Sequence, residues 1–194
     1  MKCSSSKPLV IVISGLPCTG KTTLGLRIAQ EFSLSFVSKD GVKESLFESL
    51  GWSDREWSKK LGAASFHLLY YFMASQLAAG RSFIVEANFA SDRDTERFLA
   101  LKQTYDFEPF QILCVTDGEV LFQRFIERGE SGKRHPGHVD HLTYDELQPA
   151  LLKGRLEPLD IEGTLVEVDT TDFEVTDYEG LFTAIRVALQ ERGK

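Results

Sequence analysis

Cysteine is scarce. Cys3, Cys18 and Cys114 are the only three in 194 residues, with no CxxC pair and no zinc-type spacing. This excludes a disulfide-stapled fold and points to a reducing, cytoplasmic compartment. Proline is sparse too, at six residues, and no low-complexity tract or internal repeat interrupts the chain, so nothing marks a linker or a disordered segment. No apolar run is long enough to cross a bilayer. Lys2 and Lys7 before the apolar Leu9–Ile13 share the layout of a signal peptide, but the run is short and passes straight into a glycine motif with no small-residue cleavage pattern. Positive charge is in deficit as well: 22 Lys and Arg against 29 Asp and Glu give a net charge of −7. That balance weighs against a nucleic-acid partner, which needs clustered cations along the phosphate backbone.

With 42% apolar and 26% charged residues, the chain can bury one ordinary core, and a single domain over residues 1–194 is expected. Leu9–Ile13 is a β-branched run suited to a strand buried on both faces of a parallel sheet. Further strands are predicted at 35–38, 82–86, 110–115 and 164–168, separated by segments long enough for helical crossovers. Capping-box patterns at Ser53/Glu56, Thr116/Glu119, Thr143/Glu146 and Thr176/Glu179 predict helix starts, with Ser91/Asp94 a weaker relative. Apolar residues at helical spacing follow, such as Val120/Leu121/Phe125 and Leu181/Ile185/Ala188. Two segments exceed simple alternation. Residues 42–79 read as two or three helices broken near Gly51-Trp-Ser53, and 129–138 as a mobile Gly/Pro/basic loop.

Gly15-Leu16-Pro17-Cys18-Thr19-Gly20-Lys21-Thr22 matches GxxxxGK[ST] in full, directly after the buried strand and directly before a helical segment from Thr23 to Phe32. Phosphate oxygens need many donors at once. Glycines let the backbone curl so that consecutive N–H groups point inward at a helix N-terminus, whose dipole adds positive potential. Lys21 supplies a mobile charge, and the Thr22 hydroxyl suits Mg²⁺ bridging the terminal phosphates of a nucleotide. Cys18 reads as a small filler, with redox sensing as the alternative.

From the P-loop onward the chain resembles the small P-loop kinases that phosphorylate hydroxyl groups, the group containing polynucleotide kinase, chloramphenicol phosphotransferase and zeta-toxin-like kinases. The resemblance spans Pro8 to about Leu189 and rests on the P-loop, on Ser38-Lys39-Asp40 after the second strand, and on the position and arginine content of residues 124–141. It implies a three-layer P-loop NTPase fold: a five-stranded parallel sheet in the order 2-3-1-4-5, helices on both faces, a helical substrate-side insert at 42–79 and a lid at 124–141. That order sets the ends of the strands at Ser38, Ser14 and Glu86 side by side, and ligands of open α/β sheets bind at such carboxyl ends.

The same resemblance suggests roles for particular residues. Asp40 stands where related kinases carry the carboxylate that accepts the proton of the attacking hydroxyl; alternatively it N-caps the helix beginning near Gly41. Lys43, one turn on, either holds a substrate phosphate or is a solvated surface lysine. Glu86 stands where P-loop proteins usually place an Asp that orders the magnesium shell, and direct metal contact, water-mediated contact and a substrate role are all open. Asn88 bonds substrate or forms the turn before Ser91. Arg124 and Arg128 share one helix face, and Arg134 follows in the loop. They close over ATP and spread transition-state charge, or they form a salt-bridged surface with Glu127 and Glu130. His135, His138 and His141 straddle Pro136-Gly137 and break any zinc-like face. The aromatic residues Trp52, Trp57 and Tyr70, with His67, fall in the insert, in substrate pocket or core.

The expectation is an ATP- and Mg²⁺-dependent kinase acting on a hydroxyl of a small-molecule acceptor. Its rivals are a phosphotransferase of the nucleoside monophosphate kinase kind, for which Asp40 would be needless, and a non-catalytic ATP-binding regulatory module. No NKxD guanine-reading motif is present, which disfavours a GTPase.

Overall fold

The computed structural model describes residues 7–190; Lys2 and Cys3 lie outside them. The five expected strands form, as β1 (Leu9–Gly15), β2 (Ser35–Ser38), β3 (Phe83–Glu86), β4 (Glu108–Val115) and β5 (Thr164–Asp169). They pair in parallel in the order β2-β3-β1-β4-β5, as expected. Every residue of β1 is buried, and its alternation divides the core. Val10 and Val12 face one side, where they meet Phe83 and Val85 of β3 and the apolar residues of α3 (Arg55–Ala78) and α4 (Ser91–Tyr105). Leu9, Ile11 and Ile13 face the other, against α1 (Lys21–Phe32) and α7 (Tyr178–Gln190). A smaller cluster of Leu16, Leu121, Phe125 and Leu151 joins the P-loop to α5 (Gly118–Glu130) and α6 (Tyr144–Leu151).

The insert is two helices, α2 (Lys39–Leu50) and α3, broken at residues 51–54. α2 begins three residues before the expected Val42. Helix starts differ from the capping-box reading in one consistent way. Asp54 accepts from the Trp57 N–H at 2.8 Å, Asp117 from Glu119 and Val120 at 3.0 and 3.1 Å, and Asp177 from Gly180 at 2.9 Å. These duties had been expected of Ser53, Thr116 and Thr176, each one residue earlier. A carboxylate at a helix N-terminus adds charge to the hydrogen bond, and the threonines have other partners. Thr116 Oγ1 lies 2.7 Å from Thr170 Oγ1, and Thr176 Oγ1 donates to the Asp169 and Asp172 carbonyls. Thr143 precedes α6 as expected, but its hydroxyl donates to the Asp140 carbonyl and caps nothing. Ser91 is the first residue of α4 and does not cap it: Ala90 precedes the helix, and its N–H donates to Asp94.

Candidate active site

The P-loop turn requires two of its glycines. Gly15 has φ +147°, and a Cβ there would lie 2.6 Å from the Cys114 carbonyl oxygen; Gly20 has φ +80°, and a Cβ there would meet the Phe173 ring at 2.7 Å. The buried Leu16 directs its carbonyl back into the loop, where it accepts from Lys21 Nζ at 2.7 Å and Thr19 Oγ1 at 2.9 Å. Pro17, next in the turn, is half-buried. Cys18 takes φ +68°, and burial pushes its thiol up against the pull of Arg128, Arg134 and Lys21. A thiol held protonated by burial is less reactive than a thiolate.

The loop opens onto a cleft of about 420 Å³, whose walls include Lys21, Thr22, Thr23, Asp40, Glu86, Arg124, Arg128 and Arg134. Glu86 closes β3 in register with Ile13 of β1 and Ser38 of β2. It is 5% exposed and accepts from Thr22 Oγ1 at 2.9 Å. Burial pushes its carboxyl up, against the pull of Lys21 and the Thr22 hydrogen bond. A hydroxyl and a buried carboxylate meeting beside the phosphate loop are hard oxygen donors, a set that fits Mg²⁺.

Asp40 does not cap α2. Ser38 does, its Oγ accepting from Gly41 N–H at 3.0 Å. Asp40 sits in the first turn, paired with Lys39 at 3.0 Å and Arg134 at 2.7 Å. Burial pushes its carboxyl up, but Lys39 and Arg134 outweigh burial and hold it well below the usual carboxylate range. The capping alternative is thereby corrected: the Ser hydroxyl one residue before the helix reaches the free N–H groups, whereas Asp40 is already inside the turn.

The segment expected to be a mobile loop is anchored. Of residues 129–138, the first two end α5 and the last three form a short 3-10 turn, Pro136–His138, with a second, Asp140–Leu142, just beyond. Arg134 Nε lies 2.9 Å from Asp140 Oδ2, and Arg128 donates to the same oxygen at 3.0 Å. Alternating charges thus run Lys39, Asp40, Arg134, Asp140, Arg128. His138 is buried, and burial beside the Arg134 guanidinium pushes its pKa down to about 2. The neutral ring accepts from Arg134 at Nδ1 (3.0 Å) and donates from Nε2 to Glu44 (2.9 Å). His135 stacks on Phe47 with centroids 4.9 Å apart, and a Cβ at Gly137 would lie 2.9 Å from the Phe47 ring. Gly137 thus allows this stretch to pack closely on α2.

The arginines do not form the surface network with Glu127 and Glu130. Arg128 turns to Asp140, and Arg124 donates to the Thr170 and Thr171 carbonyls, both at 2.8 Å, with its guanidinium 4.2 Å from the Phe173 centroid. Lys43 is no surface lysine: it is 5% exposed and donates to Ser58 Oγ at 2.8 Å. Burial, helped by Lys39, Arg55 and Arg134, lowers its pKa to about 8 against the opposing pull of Asp40. Lys43 and the half-buried Asn88 belong to an adjoining cleft of about 470 Å³ and not to the P-loop cleft. His67 also lines that second cleft, Tyr70 packs against the core, and Trp52 is half exposed. Trp57 donates to the Gly51 carbonyl. Sequence reasoning missed Glu44, Asp140 and Phe173. None carries a local motif, and each joins the site through contacts made far along the chain.

Comparison with known proteins bears on the family and the fold. A model of the family described as AAA domain, AAA_33, matches residues 10–150. A solved structure from Chloroflexus aurantiacus J-10-fl, provisionally named a kinase, is 42% identical over 93% of this chain and 97% of its own, with a TM-score of 0.85. A sugar kinase structure from Janibacter sp. HTCC2649 is 19% identical over 95% of each chain, with a TM-score of 0.56, a likeness of fold alone. Curated proteins yield no match. The family match takes in the P-loop, both carboxylates and the arginine-bearing segment together, and with it the chain belongs to the AAA_33 family of AAA domains, on a P-loop NTPase fold.

Proposed function

We propose that this protein is a cytoplasmic ATP-dependent kinase that transfers the γ-phosphoryl group to a hydroxyl of a small-molecule acceptor. The observation carrying this reading is that Asp40 and Glu86, from adjacent strand ends, share one cleft with Lys21 and three arginines. A module that only bound nucleotide would need the P-loop but no carboxylate at Asp40. The name of the 42% identical structure, a kinase, supports the same reaction class.

In this reading the P-loop amides and Lys21 hold the β- and γ-phosphates. Thr22 and Glu86 would hold magnesium, which when bound would neutralise charge on those phosphates. Asp40 orients the acceptor hydroxyl and takes its proton as the new oxygen–phosphorus bond forms. The bond from the γ-phosphorus to the bridging oxygen breaks, and ADP leaves with that electron pair. Arg128 and Arg134 spread the charge of the transferred group, a contribution of ~10³–10⁵ in rate for arginines of this kind. The depressed pKa of Asp40 makes it a weak base, which suits a transition state in which the hydroxyl loses its proton late.

The test is a single-turnover assay with labelled ATP and a panel of hydroxylated metabolites, run on the wild type and Lys21→Ala. Labelled phosphate should appear on an acceptor with the wild type, and Lys21→Ala should lose that turnover and bind ATP more weakly while keeping a cooperative melt. Slow hydrolysis alone, whatever acceptor is offered, would favour the regulatory module; unchanged turnover in the variant would remove the P-loop from the chemistry.

A further inference from the structure

The cleft beside the P-loop cleft has a charge balance opposite to that of the chain. Its walls carry Lys39, Lys43, Arg55, Lys59, Arg93 and Arg97, six cations, against the single carboxylate of Asp94, in a protein of net charge −7. Three of the six are already matched: Lys39 by Asp40 at 3.0 Å, Arg55 by Glu146 at 2.8 Å and Lys59 by Glu56 at 3.3 Å. Among the described residues Asp94 forms no ion pair with the other three. Its carboxylate accepts from the Tyr70 hydroxyl and the Ala90 N–H, both at 2.9 Å.

Three cations remain. Lys43 is nine-tenths buried, and among the described residues its ammonium has one hydrogen bond, to the Ser58 hydroxyl, and lies 5.2 Å from the Phe47 centroid. Among the described residues Arg97 makes no ion pair; its guanidinium lies 5.1 Å from the Tyr70 centroid. Among the described residues Arg93 makes a long ion pair with Asp92, at 4.0 Å, and donates to the Asn88 carbonyl at 3.4 Å; Asp92 is exposed and lies outside the cleft walls counted above. Asp40 acts on Lys43 without forming an ion pair with it, and burying an ammonium with no directly paired carboxylate is costly, a cost that an oxyanion seated against it would offset. Arg93 and Arg97 stand four residues apart on α4, on one helix face, and guanidinium groups suit the planar or tetrahedral oxygens of carboxylate and phosphate. The cleft also abuts the chemistry. Lys39, on its wall, is ion-paired to Asp40, which lines the P-loop cleft.

We infer that this cleft binds an oxyanionic group of the acceptor, so that the phosphoryl acceptor is a hydroxy compound carrying a carboxylate or a phosphate ester, held by Lys43, Arg93 and Arg97 with its hydroxyl toward Asp40. This rests on the kinase reading for the identity of the bound molecule, but the anion site can be tested without turnover.

The experiment fills the P-loop of the full chain with a non-hydrolysable ATP analogue and Mg²⁺. Matched pairs of probes are then titrated calorimetrically: gluconate against sorbitol for carboxylate, glucose 6-phosphate against glucose for phosphate ester. At least one anionic member should bind at least ~10-fold more tightly than its neutral partner. Arg97→Gln and Arg93→Gln, both exposed and safe for folding, should each remove most of that difference and leave affinity for the ATP analogue unchanged. Affinity for the anion should fall as pH rises through about 8, the value at which Lys43 loses its charge. The pair that discriminates tells carboxylate from phosphate. Equal affinity within both pairs, or anion binding indifferent to both arginine variants, overturns the inference. If an anionic probe binds through the arginines and no assay forms ADP with any acceptor, the site stands and the kinase reading fails. If neutral polyols are phosphorylated and anionic acceptors are not, the kinase reading stands and the anion site fails.

Discussion

At the scale of single residues, Asp40 links stability to chemistry. Its pairing with Lys39 and Arg134 leaves it about a third exposed, so Asp40→Asn should cost only ~1 kcal/mol, a shift of ~2–4 °C in Tm. The cap of α2 belongs to Ser38 and is untouched. With a verified acceptor, kcat should fall by ~10²-fold, near the lower end for a positioned base, because the carboxyl is already held at low pKa. The pH dependence has a definite sign. A carboxyl whose folded pKa lies below its unfolded value of ~3.9 stabilises the fold above about pH 4, and the contribution disappears as pH falls through the folded value. Differential melting should therefore show the gap between wild type and Asp40→Asn narrowing as pH is lowered from about 6 to about 3. A gap that widens would mean that Asp40 is not ion-paired in solution. The position of Asp40 after a predicted strand was legible from the sequence, whereas its partner was not, because Arg134 lies 94 residues away.

At the scale of secondary-structure elements, strand and helix positions followed closely from local pattern. β1 reads from its β-branched run, and the five strands and their crossovers read from spacing. The capping residues were misassigned because Ser53, Thr116 and Thr176 each precede an aspartate that also caps well, and local sequence does not rank two adequate candidates. Backbone geometry settles the choice for α3: Asp54 lies immediately before the helix and accepts from Trp57, and Ser53 makes no such bond. Chemical denaturation should then find Asp54→Ala destabilised by ~1 kcal/mol, and Ser53→Ala by no more than ~0.3 kcal/mol. The opposite order would restore the capping-box assignment.

At the scale of the whole molecule, distant segments are clasped by side chains that look like surface charges in the sequence. Arg124 of α5 holds two consecutive carbonyls after β5 and covers Phe173, whose ring lies against Gly20 of the P-loop. Arg124→Ala should lose ~2 kcal/mol of stability, about 4–8 °C in Tm, and should raise KM for ATP several-fold with a smaller effect on kcat. Arg128→Ala, whose partner is Asp140 beside the reacting groups, should lower kcat more than it raises KM. Steady-state kinetics on the two variants separate the roles, and identical losses in kcat would return Arg124 to the transition state. By itself the sequence determined the phosphate loop, the strand succession and the carboxylates at the strand ends. Those follow from short-range rules: which residues permit a left-handed turn, which alternate, and which end an apolar run. Only the tertiary structure decided that Lys43 is buried, that Arg134 reaches Asp40, that Arg124 clasps the chain after β5, and that unmatched cations from α2 and α4 line one cleft. Each of these is a meeting of residues far apart in the chain, set by how α2, α3 and the 131–142 segment pack, and packing of that kind is a property of complementary surfaces that no local window contains.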